Sequence, residues 1–310
     1  MSSSQSPPTG PLFEQYQTPG TGIGYRSYAA QIVKGTLLFE EEPLFTLPAN
    51  HTAAHVQQLV QTLDQATHTA FFSLHIPHQF LDNGPYQGRF LANALPCTTQ
   101  AGRAAGLFLR GARFNHSCRP NVQYKWDRHS RKMRFYAIKT IGYMEELCIS
   151  YDEGSILLAR VPRKQRLLER VGFQCNCTAC IAPNVDSDNR RIYLKDVVES
   201  IEGTVGSSVS DPREYLFRNT AITNALNALY HEGICRYRDT LYYAGFKNAR
   251  MAGDGNNAML WLNLAYTAVA VAGGTHSELG RELAQLRNTL TAQQIGNRLI
   301  LPNGPPICPD

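Results

Sequence analysis

The chain lacks the sequence motifs that mark several common classes of enzyme. It contains no phosphate-binding loop, no His-Glu-x-x-His pair and no Gly-x-Gly-x-x-Gly segment between a predicted strand and a predicted helix. Its Ser, His and Asp residues do not occur in the motif context of a hydrolase triad. These absences argue against a nucleotide hydrolase with a phosphate-binding loop, a zinc protease with the His-Glu-x-x-His motif and a Rossmann-type cofactor site.

Long apolar runs are scarce as well. Residues 1–10 are rich in Ser and Pro and lack the apolar centre of a signal peptide. The longest apolar stretch, Ala258–Ala272, is too short to span a bilayer and contains Asn263 and Thr267. We therefore expect an intracellular protein, in the nucleus, the cytoplasm or both, with no membrane partner.

Charge of one sign is not strongly concentrated. The formal net charge is +5 over 310 residues, and 43% of the residues are hydrophobic, which is enough for one large core or two ordinary ones. The densest basic run extends from Arg160 to Arg170. It is interpreted as the solvated face of a helix, with a nucleic-acid-binding patch as the alternative. We expect no sequence-specific nucleic-acid partner.

The spacing of apolar residues changes along the chain. Residues 1–19 are predicted to be a flexible leader, and apolar residues at three- and four-residue steps from Val56 onward predict a helical insert over about 46–105. Two further helical stripes, one around Trp261 and one from Leu279 to Leu290, predict antiparallel helices over 186–301 as a second domain, followed by a tail at 302–310. Strands are predicted at Thr36–Phe39, Leu107–Leu109, Val122–Trp126, Met133–Ile138 and Leu147–Tyr151.

Three of the eight cysteines lie within six residues of one another, at Cys175, Cys177 and Cys180. This tight spacing is typical of zinc sites, although free thiols are the alternative. Zinc takes four ligands in structural sites, so another residue must complete the set. From the residues alone the candidates are Cys118, Cys148 and Cys97.

Three segments occur in a characteristic order: Asn115-His116-Ser117-Cys118, then Glu145-Glu146-Leu147-Cys148-Ile149-Ser150-Tyr151, then Phe173 to Cys180. They resemble the C-terminal half of a SET domain and its post-SET zinc site, in the SMYD-like branch of the lysine methyltransferases. Upstream, Gly22-Ile23-Gly24, Lys34-Gly35 and Glu40-Glu41-Glu42-Pro43 resemble the start of that domain. The resemblance covers residues 20–182.

The resemblance implies an α+β fold with small sheets around a knot-like crossing, a helical insert, a post-SET zinc site and an all-α C-terminal domain. It divides the chain into a SET domain at 20–158 and a zinc segment at 159–182. It also implies S-adenosylmethionine and zinc as cofactors and Tyr151 as the catalytic residue. The cofactor-binding positions that it implies are Gly22, Gly24, Arg26, Asn93, Asn115, His116, Tyr151 and Phe173, and the zinc ligands are Cys118, Cys175, Cys177 and Cys180.

The chain departs from the family at two places. The clustered Cys and His residues of a MYND finger are absent, and Val171 stands where an aromatic residue often lines the lysine channel. The leading expectation is a monomeric enzyme that methylates a lysine side chain of a protein, histone or non-histone. The alternatives are a SET-fold enzyme that acts on a small molecule and a SET-fold binding module without catalysis.

Overall fold

The computed structural model describes residues 10–18, 22–204, 209, 211–302 and 304–306. Parts of the predicted leader and tail, residues 1–9, 19, 303 and 307–310, lie outside this range. The chain divides into two compact units. One contains the strands and the first helices, and the other contains segments 118–120 and 153–163 together with the chain from residue 178 onward.

The first unit is built from short strands. The predicted strands at Thr36–Phe39, Val122–Trp126, Met133–Ile138 and Leu147–Tyr151 are confirmed, with shifts at their ends. The strands are β1 (Phe13–Thr18), β2 (Gly22–Ser27), β3 (Gln31–Ile32), β4 (Leu37–Glu41), β5 (Phe45–Pro48), β6 (Ala94–Thr99), β7 (Gly102–Leu107), β8 (Asn115–His116), β9 (Val122–Asp127), β10 (Lys132–Ala137), β11 (Ile141–Gly142) and β12 (Glu146–Ile149).

These strands form several small sheets. The strand orders are β1-β2-β12-β8, β4-β10-β9, β11-β3 and β5-β7-β6. Neighbours run antiparallel except β12 and β8, which run parallel and place Cys148 and Ile149 beside Asn115 and His116. Small sheets in a mixed α+β fold confirm the predicted fold class.

The core of the first unit is aromatic. Alternate residues of β10, including Phe135, are buried, as expected for a strand with one face on the core. The Phe135 ring stacks on Phe39 at a centroid distance of 4.6 Å and on Phe114 at 5.1 Å. Each such pair contributes about 0.5–1.5 kcal/mol beyond the area that it buries. Phe114 is therefore firmly packed, and it directly precedes the Asn115-His116 strand.

The insert contains helices α1 (Ala53–Gln61), α2 (Gln65–Phe72) and α3 (Gly84–Asn93), with a 3-10 turn at His78–Asn83. Val56 and Val60 of α1 are buried, which confirms that the spacing marks a helix with one apolar face. The prediction of helix up to about residue 105 is wrong for its last part. Strands β6 and β7 form an antiparallel hairpin there, and Gly102, at φ +110°, begins its second strand.

The predicted leader is also wrong in part. Residues 13–18 form β1, which pairs with β2 along its whole length from Phe13–Ser27 to Thr18–Gly22. The Phe13 ring contacts Tyr25 at a centroid distance of 5.0 Å. The partner strand and this aromatic contact hold the segment in place, and neither is visible in the local composition.

The second unit is helical. Trp261, Leu283 and Leu226 are fully buried in one apolar cluster, so both predicted stripes are confirmed as core-facing surfaces. No helix among the described residues is both long enough and apolar enough to cross a membrane. Besides α4 (Arg160–Val171), of which residues 164–171 belong to the first unit, the remaining helices are α5 (Val185–Thr204), α6 (Arg213–Glu232), α7 (Arg238–Ala252), α8 (Gly255–Val271), α9 (Glu278–Thr289) and α10 (Ala292–Ile295).

Candidate active site and cysteine cluster

The two central sequence motifs lie side by side in the first unit. Strand β8 carries Asn115 and His116, and β12 leads into Ser150 and Tyr151. Beyond the paired residues, the Ser117 backbone N–H donates a hydrogen bond of 3.0 Å to the Ile149 carbonyl. Motifs about thirty residues apart in sequence are therefore held together by backbone hydrogen bonds.

Tyr151 is fixed at both its backbone and its side chain. Its backbone N–H donates to His116 Nδ1 at 3.0 Å, so the ring proton of His116 lies on Nε2. Its hydroxyl donates to the Phe114 carbonyl at 2.7 Å. The residue as a whole is 38% exposed, but the hydroxyl is buried, and this burial raises the pKa of the phenol, with smaller contributions from Cys148 and Glu146. The hydroxyl is therefore neutral at physiological pH.

Phe173 completes an aromatic group with these two residues. Its ring centroid lies 5.4 Å from His116 and 5.8 Å from Tyr151, both in edge-to-face geometry. Helix α4 ends two residues earlier, where Gly172 adopts φ +79° and its N–H donates to the Leu167 and Leu168 carbonyls. This left-handed conformation favours glycine and turns the chain sharply after the helix.

The Asn115 side chain belongs to a polar cluster that the sequence did not predict. Its Nδ2 donates to Glu146 Oε1 at 2.7 Å and to Thr18 Oγ1 at 3.1 Å. A Cβ atom on Gly24 would lie 2.5 Å from that Nδ2 and 2.8 Å from the Thr18 hydroxyl. The absence of a side chain at Gly24 is therefore required for this cluster. Glu146 lies inside a recognised motif, but only the fold shows which of its neighbours it contacts.

The other predicted cofactor residues have contacts of their own. Arg26 pairs with Glu14, with 2.6 Å between Nη2 and the carboxylate. Asn93 Nδ2 donates to the His75 and Arg89 carbonyls at 2.9 and 2.8 Å. Gly22 opens β2 at φ +91°, with open space around the position of a Cβ. Their roles toward a cofactor stay predictions, whereas Asn115, His116, Tyr151 and Phe173 are brought together.

The four predicted zinc ligands also come together. The Sγ atoms of Cys118, Cys175, Cys177 and Cys180 all lie within 4.8 Å of one another, and Cys118 and Cys180 are 3.6 Å apart. Tetrahedral zinc with Zn–S bonds of about 2.3 Å requires sulfurs about 3.8 Å apart. A disulfide requires about 2.05 Å between sulfurs. The group therefore fits zinc, with Cys118 as its fourth member rather than Cys97 or Cys148.

The basic run is not simply a solvated helix face. Arg163 is fully buried, and its Nη2 donates to the Ala179 carbonyl at 2.9 Å. Arg160 Nε donates to the Cys180 carbonyl at 2.8 Å, and Arg166 Nε lies 2.5 Å from the Asp152 carboxylate. The solvated-face interpretation is therefore wrong for Arg163, while Arg170 remains 62% exposed.

Comparisons with known proteins identify a SET domain in this chain. The family model of the SET domain matches residues 29–152. The histone-lysine N-methyltransferase set5 of Schizosaccharomyces pombe is 30% identical over 169 residues, which is 54% of this chain and 50% of that protein. A SET and MYND domain-containing protein of Dictyostelium discoideum is 36% identical over 80 residues, or 26% of this chain and 15% of that protein.

A further relative is the protein-lysine N-trimethyltransferase SMYD5 of Mus musculus, which is 30% identical over 112 residues, or 34% of this chain and 27% of that protein. The chain thus spans half or less of the length of these relatives. The activities in these names are those of the relatives themselves.

Proposed function

Because residues 29–152 form a SET domain, we propose that this chain is an S-adenosylmethionine-dependent methyltransferase that acts on a lysine side chain of a protein. The observation that carries the proposal is the arrangement of Tyr151, His116 and Phe173 around the paired β8 and β12 strands. The names of set5 and SMYD5 support lysine in a protein as the substrate class.

The residues at this site fit the cofactor. We assign Asn115, His116 and Phe173 to its binding, with Gly22, Gly24, Arg26 and Asn93 as further contacts that remain to be tested. Phe173 offers an aromatic face or edge for a base, and Glu146 places a carboxylate beside Asn115. When bound, S-adenosylmethionine supplies a methyl group on a positively charged sulfur.

The Tyr151 hydroxyl has a defined orientation. Because its proton is directed to the Phe114 carbonyl, its oxygen lone pairs are available to another partner. An oxygen so placed accepts weak C–H hydrogen bonds from a polarised methyl group and stabilises charge that shifts there during transfer. We therefore assign Tyr151 as the catalytic residue, acting by orientation and electrostatics rather than by proton transfer.

The lysine amine must lose its proton before it can attack, since its ordinary pKa is about 10.4. An apolar channel lowers that pKa by disfavouring the charged form, and alignment of amine and methyl lowers the entropic part of the barrier. Val171 is half-buried at the end of α4 and, in place of an aromatic side chain, widens this channel. Val171 is the feature that favours a small-molecule substrate as the second candidate.

We assign the cysteine cluster to one structural zinc ion. The four thiolates would occupy all positions of a tetrahedral ion, which leaves none for catalysis. The monomeric state, the location in nucleus or cytoplasm and the choice between histone and non-histone substrates stay predictions.

The test is transfer of labelled methyl from S-adenosylmethionine to a whole-cell lysate, counted separately in precipitated protein and in small molecules. Tyr151→Phe is the test variant, and Tyr143→Phe is the matched control because Tyr143 is 62% exposed. We expect label in protein with the wild type and the control, and its loss with Tyr151→Phe. Label only in small molecules would favour the second candidate. Cofactor binding without any transfer would favour the non-catalytic module.

A further inference from the structure

Three arginines of the helical unit donate to backbone carbonyls at two of the four clustered cysteines. Arg160 Nε donates to the Cys180 carbonyl at 2.8 Å, and Arg163 Nη2 donates to the adjacent Ala179 carbonyl at 2.9 Å. Arg191 Nη2 lies 3.5 Å from the Cys118 carbonyl. The two cysteines are 62 positions apart in sequence, yet their Sγ atoms are 3.6 Å apart.

Two of these guanidinium groups are held rigidly. Arg163 and Arg191 are both fully buried. A second nitrogen of each group is also engaged, since Arg163 Nη1 donates to the Leu158 carbonyl and Arg191 Nη1 donates to the Ile156 carbonyl. A planar guanidinium with several fixed partners has little freedom to reorient, so the carbonyls that it contacts are fixed as well.

Positive charge is concentrated around Arg191. The Glu232 carboxylate is fully buried, and its Oε2 lies 2.9 Å from Arg191 Nε. Arg190 Nη2 lies 2.9 Å from its Oε1, and Arg119 Nη2 lies 3.4 Å from its Oε2. This carboxylate supplies one negative charge to three cations, while Arg163 adds another buried cation. Burial of a charge is costly unless an opposite charge compensates it.

A zinc ion bound by four thiolates supplies such compensation. The complex carries two net negative charges, because each thiolate contributes one negative charge and the ion two positive charges. Positive groups that hold the ligands from outside the first coordination layer both orient them and stabilise their charged form. The arginines meet both conditions at Cys118 and Cys180.

We propose that Arg160, Arg163 and Arg191 are positioning residues of the zinc site, which fix the backbone at Cys118 and Cys180 and stabilise the charge of the metal-bound thiolates. This inference rests on the zinc assignment made under the proposed function. It adds residues outside the cysteine motif that determine how tightly the metal is held.

The test measures the zinc Kd of the full chain by competition with a chromophoric chelator. Arg163→Met and Arg191→Met remove the charge at similar size, whereas Arg163→Lys keeps the charge and loses the planar donor group. Arg170→Met is the matched control, because Arg170 lies on the same helix and is 62% exposed. We expect Arg163→Met and Arg191→Met to weaken zinc binding about 10–100-fold, Arg163→Lys to recover part of this loss, and the control to show none.

Cobalt substitution separates a metal-site effect from a general loss of stability. We expect the absorption bands of cobalt bound to four thiolates in every folded variant, with a higher cobalt Kd in the arginine variants and a fall in melting temperature that is larger for the zinc-bound protein than for the metal-free protein. If the variants at the two buried arginines fail to fold, Arg160→Met decides the matter, because Arg160 is only half-buried.

Wild-type zinc affinity in all folded arginine variants would overturn the inference and leave the zinc site in place. A fall in the melting temperature of the metal-free protein as large as the fall in that of the zinc-bound protein would also overturn it. A wild-type chain that holds no zinc would instead remove the zinc assignment and the inference with it. Methyl transfer is measured separately, so its outcome does not decide this question.

Discussion

The strand-rich unit and the helical unit bury polar groups of different kinds. Around Tyr151 the contacts are hydrogen bonds to a backbone carbonyl and to the His116 ring, together with edge-to-face aromatic pairs. In the helical unit the buried groups include full charges, with Glu232 and Arg191 at 0% exposure. A neutral hydrogen bond contributes about 0.5–1.5 kcal/mol to the free energy of unfolding, whereas removing one partner of a buried ion pair lowers it by about 3–5 kcal/mol.

Substitutions in the strand-rich site should change chemistry more than stability, because each removes one modest contact. Substitutions in the ion network should change stability first, because they leave a charge buried without compensation. The four substitutions that follow test this contrast, from the largest expected effect to the smallest.

Glu232→Gln should have the largest effect on stability. Burial opposes ionisation of Glu232, but the Ser187 hydrogen bond and the charge of Arg191 hold its pKa below the ordinary value, so the carboxylate is ionised at neutral pH. Removing that charge leaves Arg191 buried with less compensation, and we expect a loss of about 3–5 kcal/mol in the free energy of unfolding. Urea denaturation measures it, with exposed Glu199→Gln as the control. Equal, small effects of both changes would remove the contrast between the units.

Tyr151→Phe should reduce turnover strongly with little effect on stability. It removes one hydroxyl, whose hydrogen bond to the Phe114 carbonyl contributes about 1 kcal/mol to stability. Loss of a preorganised polar group at the reacting centre typically lowers kcat about 100-fold. Steady-state kinetics measures kcat, urea denaturation measures the free energy of unfolding, and calorimetry measures the affinity for the cofactor. A variant that binds the cofactor much more weakly, with kcat unchanged at saturation, would make Tyr151 a binding residue.

Gly24→Ala should weaken cofactor binding by about tenfold. The new methyl group would lie 2.5 Å from Asn115 Nδ2, so the Asn115–Glu146–Thr18 cluster must move, at a cost of about 1–3 kcal/mol. Gly142→Ala is the control, since its Cβ would meet only Glu145 Oε2 at 3.8 Å. Cofactor Kd is the quantity to measure. Unchanged binding in Gly24→Ala would mean that this cluster lies outside the cofactor site.

Met144→Gly should have the smallest effect and should be stabilising. Met144 adopts φ +62° on the turn before β12, a conformation that disfavours residues with a Cβ atom by about 1–2 kcal/mol. The greater freedom of glycine in the unfolded chain offsets part of this, so we expect a gain of about 0.5–1 kcal/mol. The thermal melting temperature reports it. Neighbouring Tyr143→Gly should lower stability instead, because Tyr143 does not share the left-handed conformation. The same sign for both would contradict the strain argument.

Local sequence patterns predicted the features that depend on neighbours in the chain. Strand alternation located β9 and β10, and the spacing of Cys175, Cys177 and Cys180 indicated a metal site before any fold was known. The motif resemblance added Cys118, whose sulfur lies with the other three. These features are encoded by side-chain period and ligand spacing, which a single sequence displays directly.

The features that sequence missed depend on distant partners. Arg191 contacts the Cys118 carbonyl across 73 residues, and Glu146 contacts Asn115 across 31. Arg163 stands in a basic run that looks solvated, yet it is fully buried. The predicted helical insert extends over the β6–β7 hairpin because its strands lie directly after a genuine helix. No local pattern specifies such contacts, since they form only after the elements have packed.

The central proposal is that this chain transfers methyl groups to lysine in a reaction that requires Tyr151. One measurement tests it most directly. Protein labelled from S-adenosylmethionine is hydrolysed in acid, and the amino acids are separated and counted. We expect label that co-elutes with methylated lysine in the wild type and is lost with Tyr151→Phe. Label in another amino acid, or equal methyl-lysine from the variant, would contradict it.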